Sequence, residues 1–288
     1  MTQRSAATAP VLAAGLLLWA AAPAQGQELE RFQPDGGYTL PPTRVQDFFE
    51  RDTNFAILDQ VSPDGNHFLV PLATELSTLE RMAEPTLRLA GLELRPDTDR
   101  QWHLDTWGIY GFRIYALADR AFREVTLPDE AFASDFMWSP DGDRLAFLAH
   151  LRDRTELWTA EAATGRTRPV SDLHLMTTLG TSSRGQGSRP SEMLQWTPEG
   201  TLLTLATPPE RDAEPTPPSV PPSPGIRRTR DEAVSTRTLP FLLEDEHDED
   251  LLEHYTTSRI VELSEGSEPR FIGEPAMYRS ISLSPDGH

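Results

Sequence analysis

The 288-residue chain carries 26 basic and 45 acidic residues, a formal charge of −19, with 38% hydrophobic residues and 26 prolines. So negative a surface repels nucleic acid and anionic lipid, which excludes phosphate-backbone or headgroup binding as the main activity. The absence of cysteine excludes disulfide staples, thiolate metal sites and a lipid-anchored lipoprotein, so packing alone must hold the fold.

Taken in chain order, the first element is a leader. Arg4 precedes an apolar run over residues 11–22, and Ala22-Pro23-Ala24 offers a small-residue cleavage site. This pattern predicts a secretory signal peptide over residues 1–24 and a periplasmic or secreted mature protein. The run is shorter than the ~20 residues a membrane-spanning helix needs.

A short pattern then recurs. Val61-Ser62-Pro63-Asp64-Gly65 precedes Phe68-Leu69-Val70, and Trp138-Ser139-Pro140-Asp141-Gly142 precedes Leu145-Ala146-Phe147-Leu148. A weaker copy, Trp196-Thr197-Pro198-Glu199-Gly200, precedes Leu202-Leu203-Thr204-Leu205, and Leu283-Ser284-Pro285-Asp286-Gly287 is the last. Proline presets φ at the first turn position, the acid bonds the local backbone, and glycine takes the positive-φ position, so each copy predicts a hairpin turn. Between copies the residues Glu156-Leu157-Trp158-Thr159-Ala160-Glu161, then Thr164-Gly165 and Arg166-Thr167-Arg168-Pro169-Val170, predict a second hairpin. Four strands per repeat make a propeller blade. The expected fold is therefore all-β: an incomplete β-propeller over residues 25–288, about four blades, with long inter-strand insertions and one short amphipathic helix. A β-sandwich with similar turns is the competing reading. Ser62, Ser139, Thr197 and Ser284 are 77, 58 and 87 residues apart, longer than the ~40–50 of compact blades, hence the insertions.

Two of the insertions have distinctive chemistry. Residues 207–225 are dense in proline, so they predict an extended surface excursion, followed by Arg227, Arg228 and Arg230, which read as solvated. Farther on, Leu243, His247, Leu251 and Tyr255 share one helical stripe with acids outside it, which predicts an amphipathic helix. His247 and His254 lie seven residues apart, roughly 10 Å along a helix axis, too far to reach one zinc, so both are expected to pack. The acid run between them lacks the glycine and alternating ligands of a calcium loop. At the last copy only His288 follows Gly287, so a longer polypeptide is expected.

No catalytic, cofactor-binding or metal residue emerges. Gly180-Thr181-Ser182-Ser183-Arg184-Gly185 has the wrong spacing for a nucleophile elbow, and phosphate loops and His-Glu-x-x-His motifs are missing from the sequence. Residues 25–288 are thus expected to be inactive alone.

Tyr38-Thr39-Leu40-Pro41-Pro42, Leu89-Ala90-Gly91-Leu92 and Trp138-Ser139-Pro140-Asp141-Gly142 resemble the propeller portion of prolyl oligopeptidase family serine peptidases. Leu242-Leu243 through Leu251, Tyr255 and Ser258 resembles the glutamyl endopeptidase subgroup, whose members tend to have aromatics at the positions of His247 and His254. Residues 178–191 and 207–225 depart from the family's pattern. The resemblance implies a gating, substrate-selecting propeller whose peptide substrates are cleaved by a separate α/β-hydrolase domain. The alternative is a free-standing periplasmic protein-binding propeller similar to TolB.

Overall fold

β1 (His67–Ala73) is followed by α1 (Leu79–Met82), the strands β2 (Leu87–Leu89), β3 (Leu92–Arg95) and β4 (Arg100–Gln101), and α2 (His103–Thr106). Then come β5 (Ile109–Ala116), β6 (Ala121–Val125), β7 (Phe132–Trp138), β8 (Arg144–His150), β9 (Thr155–Glu161) and β10 (Thr167–Pro169). Last are β11 (Gln195–Trp196), β12 (Leu202–Ala206), α3 (Glu246–Thr256), β13 (Ser258–Leu263) and β14 (Arg270–Ala276). The computed structural model describes residues 42–43, 61–73, 78–106, 109–179, 192–219 and 241–284. Residues 42 and 43, both exposed, belong to a compact unit Met1–Arg51, and the others to a second, Asp52–His288. The leader, the loop bearing Ser182 and Arg227, Arg228 and Arg230 lie outside the described residues.

The strands form three successive antiparallel meanders. In the first, Val61 bridges Phe68, β1 pairs β5, and β5 pairs β6. The second runs β7-β8-β9-β10, and the third β11-β12-β13-β14. A single pair, Ile109 with Ala133, ties the first meander to the second in one seven-stranded sheet. The sequence predicts about four such repeats; among the described residues there are three, and the last copy is described only as far as Ser284.

The turns use the chemistry read from the sequence. Ser62 Oγ donates to Asp64 Oδ1 at 2.5 Å and accepts the His67 N–H at 2.9 Å; Ser139 does the same with Asp141 and the Arg144 N–H, at the same two distances. In the third copy Thr197 Oγ1 accepts the Thr201 N–H at 3.1 Å. Gly65, Gly142 and Gly200 sit at φ 74, 77 and 81°. The Ser62 hydroxyl, then Asn66, holds the Asp64 carboxyl down at about 2.

The tryptophan before each later turn reaches back to the previous meander. Trp138 stacks on His67 at 5.9 Å, and Trp196 Nε1 donates to the Met137 carbonyl at 3.0 Å. One core lies between the first two meanders: Leu69, Phe112, Ile114 and Val125 meet Trp138, Leu145, Phe147 and Ala160, with Phe112 edge-on to Phe136 and Phe147. A second core joins Ala146, Leu148 and Leu157 to Trp196, Leu202, Leu205, Val261 and Leu263. Neighbouring meanders thus pack face to face.

The helices correct the expectation of one. Besides α3 there are α1 and α2, four residues each, too short to leave a 3.6-residue period in the sequence. Between them β2, β3 and β4 form a separate small antiparallel sheet whose hairpin turns at Ala90 and Gly91, both at positive φ. The described proline-rich residues 207–219 contain no strand or helix.

Two glycines separate backbone strain from steric contact. A Cβ on Gly65 meets nothing within 4 Å, whereas one on Gly165 falls 2.4 Å from the Glu124 carbonyl oxygen of the neighbouring meander, and both have φ 74°. Gly65→Ala should cost about 1 kcal/mol, the left-handed penalty alone. Gly165→Ala should cost about 2–4 kcal/mol, because a backbone must also move. Urea denaturation of both variants measures the difference.

Candidate functional site at the insertion end

In a four-stranded meander the first and third turns lie at one end, and the second connection at the other. Both long insertions are second connections: residues 74–108 join β1 to β5 and residues 207–257 join β12 to β13, while the middle meander closes with residues 151–154. The insertions therefore share an end with the links between meanders, and there they meet.

Their contact is an apolar cluster in which Leu89 and Leu94 of the small sheet pack against Leu251 and Tyr255 of α3, with Leu87, Leu92, Leu243 and Leu252 around them. The predicted stripe is correct at Leu251 and Tyr255, but the helix begins only at Glu246. Asp245 is its N-cap and accepts the Asp248 N–H at 3.0 Å, while Asp248 accepts the Glu244 N–H at 2.7 Å. Leu243 packs from outside the helix. Part of the acid run is therefore a cap, and Glu246, Asp248 and Glu249 face the positive end of the helix dipole. His254 packs edge-on to Tyr255 at 4.7 Å, and burial, then Arg211, lowers its pKa. Burial and then the Glu214 carboxylate push the Tyr255 hydroxyl up to about 12. Among the described residues no three His, Asp or Glu converge to hold a metal ion.

Buried charges fix the insertions to the meanders. Arg100, wholly buried, places Nε 3.3 Å from Asp105 Oδ2 and donates Nη2 to the Leu151 carbonyl at 2.6 Å. Arg95 pairs with Glu84, with Asp97 at 2.8 Å and with Asp105 at 3.5 Å. Burial pulls Arg100 down to about 10 and Asp105 upward, as expected when both charges leave water. Nearby, Asp99, 1% exposed and at φ 46°, receives Arg211 at 2.7 Å and the Thr207 hydroxyl at 3.1 Å. The base of the proline-rich excursion is thereby clamped to the first insertion. Thr178 adds a hydrogen bond to the Tyr255 carbonyl at 2.6 Å.

One constellation has the residue types of a hydrolytic centre and not its chemistry. Ser134 Oγ lies 2.7 Å from both Asp135 Oδ2 and His150 Nε2, and His150 Nδ1 lies 3.0 Å from Thr155 Oγ1. Ser134 gives its only proton to Asp135, so His150 must donate from Nε2 and accept from Thr155 at Nδ1. A histidine that donates to a serine cannot be its general base. All four residues are buried, and burial, then Arg100, holds the His150 pKa well below its ordinary value. Sequence reasoning missed this network, whose members sit on three strands. Nor did it pick out the Arg100 node, although the charge-dense stretch Arg95-Pro96-Asp97-Thr98-Asp99-Arg100 marks it.

Two outcomes follow. Arg100→Met should cost about 3–5 kcal/mol by taking from the buried Asp105 the nearer of its two guanidinium partners, and Arg100→Met/Asp105→Leu should recover part of that, as read by denaturant titration. His150 stays neutral in the folded chain while the unfolded chain binds a proton below its ordinary pKa of 6.5. Its contribution to stability is therefore complete above that pH and is lost as pH falls, at about 1.4 kcal/mol per unit. His150→Gln should flatten that slope in melts taken from pH 7 to 5.

No family model matches the chain. It is 29% identical over 269 residues to a probable chloroplastic glutamyl endopeptidase of Oryza sativa subsp. japonica, and 27% identical over 263 residues to one of Arabidopsis thaliana. Each match covers 87% of this chain and 26% of the relative, so the chain spans about a quarter of their length. Among solved structures, Pyrococcus horikoshii acylaminoacyl peptidase overlaps 73% of this chain and 24% of its own at 14% identity and TM-score 0.33. TolB from Acinetobacter baumannii overlaps 79% of this chain and 55% of its own at 11% identity and TM-score 0.26. No helix among the described residues is long and apolar enough to cross a membrane. The similarity that stands is one of sequence: over most of its length the chain resembles the glutamyl endopeptidases, the same resemblance that its Leu242 to Ser258 segment carries.

Proposed function

We propose that the three meanders are blades of an incomplete β-propeller, and that this propeller gates a secreted serine endopeptidase that cleaves after glutamate. The observation that carries the reading is the similarity to glutamyl endopeptidases along 87% of the chain. The repeated turn, the face-to-face cores and the back-reaching tryptophans support the blade assignment. The serine, acid and histidine of that peptidase are assigned to the part of a longer polypeptide that corresponds to the rest of the relatives, of which this chain spans about a quarter. Stacked blades over such a centre admit extended peptides and exclude folded proteins. Residues 1–24 direct the product to the periplasm or beyond.

The test is genetic and then enzymatic. The reading frame should continue for several hundred residues and contain Gly-x-Ser-x-Gly followed by Asp and His. Residues 25–288 should show no turnover of Glu-containing fluorogenic peptides, because the nucleophilic and oxyanion contributions are missing. The full-length product should cleave such peptides and spare a folded protein. A stop codon after His288 would favour a free-standing binding propeller. Hydrolysis by residues 25–288 that Ser182→Ala abolishes would sink the proposal.

A further inference from the structure

An Asp-Gly bond rearranges readily, because glycine puts no side chain in the way. The glycine nitrogen attacks the aspartate Cγ, water leaves and a five-membered succinimide forms. Water then reopens the ring at either carbonyl and returns aspartate or isoaspartate, in which the main chain runs through the former side chain. The attack needs a protonated carboxyl, since a carboxylate has no leaving group, and a glycine N–H free to give up its proton. Two such bonds lie among the described residues, Asp64-Gly65 and Asp141-Gly142, and both aspartates are exposed.

The repeated turn denies both requirements. Besides the Ser62 hydroxyl at 2.5 Å, Asp64 Oδ1 accepts the Asn66 N–H at 3.2 Å, and Oδ2 accepts Asn66 Nδ2 at 2.6 Å. Donors on both oxygens favour the ionised form. The Gly65 N–H is itself given to the Ser62 carbonyl at 2.8 Å. The second copy has the same plan with fewer donors. Asp141 Oδ1 accepts the Ser139 hydroxyl at 2.5 Å and the Asp143 N–H at 3.1 Å, and the Gly142 N–H goes to the Ser139 carbonyl at 2.9 Å. With Asp64 drawn from 3.8 to about 2, its protonated form is about 60-fold scarcer at pH 5. In the third copy Glu199 stands in the acid's place and the Gly200 N–H still reaches the Thr197 carbonyl at 3.0 Å, so the turn closes without aspartate.

The two sites differ in their cover. Nothing lies within 4 Å of the place a Gly65 Cβ would take, whereas Gly142 is buried and Asp64 Oδ1 lies 2.8 Å from its Cβ position. We infer that Asp64 is a latent isoaspartate site, held as aspartate by the buried Ser62 hydroxyl and by Asn66, and that its carboxylate in turn covers the Asp141-Gly142 bond of the next meander. Conversion at Asp64 puts Cβ and Cγ into the main chain and leaves the carboxylate on Cα, away from Gly142. Damage therefore passes in one direction, from the first turn to the second.

The experiment ages the full-length product at pH 5 and locates isoaspartate by methyltransferase labelling and peptide mapping. In the wild type Asp64 should convert at least about tenfold more slowly than in a synthetic peptide of residues 59–70, where the turn is lost. Ser62→Ala should raise conversion at Asp64 about tenfold, with conversion at Asp141 following it in time. Asn66→Ala, which trims one exposed side chain and leaves the fold intact, should raise it by a smaller factor and carries the test if Ser62→Ala unfolds. Asp64→Glu, the acid of the third copy, should abolish conversion there. Wild-type conversion as fast as in the peptide would overturn the inference, as would folded Ser62→Ala and Asn66→Ala proteins that convert no faster than wild type. Conversion at Asp141 before Asp64 would refute the cover.

Discussion

The middle meander is buried on both faces, and that single constraint organises the fold. Along β8, Leu145 and Phe147 face the first meander while Ala146 and Leu148 face the third, so the strand is buried on both sides. Its sequence is a continuous apolar run for this reason, where a half-exposed strand would alternate. Each fully buried Leu or Phe contributes about 1.5–3 kcal/mol, so the middle meander depends on neighbours on both sides. Trp138 and Trp196 make that dependence specific, since each fixes one meander against the previous one through a ring face or an N–H.

Around this stack the protein buries charge where it attaches irregular chain. Buried ion pairs add little net stability, but they discriminate sharply against misplacement, because a displaced partner leaves a charge stranded. Arg100 reaches Asp105 within its own insertion and the Leu151 carbonyl of the middle meander. Asp99 joins the first insertion to the base of the third meander's excursion through Arg211. The two insertions, far apart in sequence, are thereby set in one register relative to the stack.

What could be read from the sequence was what local chemistry determines. Ser-Pro-Asp-Gly turns close on themselves, so Ser62, Ser139 and Thr197 were legible wherever they stood. The strands behind them were legible for the same reason. The β2 to β4 sheet and the helices α1 and α2 were not, because elements of two to four residues fall below any periodicity and are held by partners such as Arg95 and Glu84 from separate elements. At α3 the stripe identified the packing face, yet a capping carboxylate and a solvated one look alike in a run of acids, so Asp245 and the true start went unseen. The Ser134, Asp135, His150 and Thr155 network required the strand register itself.

The division of labour between the two ends follows from the turns. At the tight-turn end, neighbouring meanders touch closely: the Asp64 carboxylate lies against Gly142, the Glu124 carbonyl against Gly165, and the Arg123 side chain donates to the Ala163 carbonyl at 3.0 Å. Glu265 adds a latch from the third meander to Thr159 at 3.0 Å and Arg168 at 2.8 Å. An insertion in any of those turns would pry the stack apart, because contact there needs glycine and a short loop. The second connections meet neighbouring chain through the Arg100 to Thr177 bridge and the buried charges, outside the stacked strands, so they can lengthen at little cost to the core. Both long insertions lie there, and whatever distinguishes this protein's activity from that of a bare stack of meanders has to be built at that end.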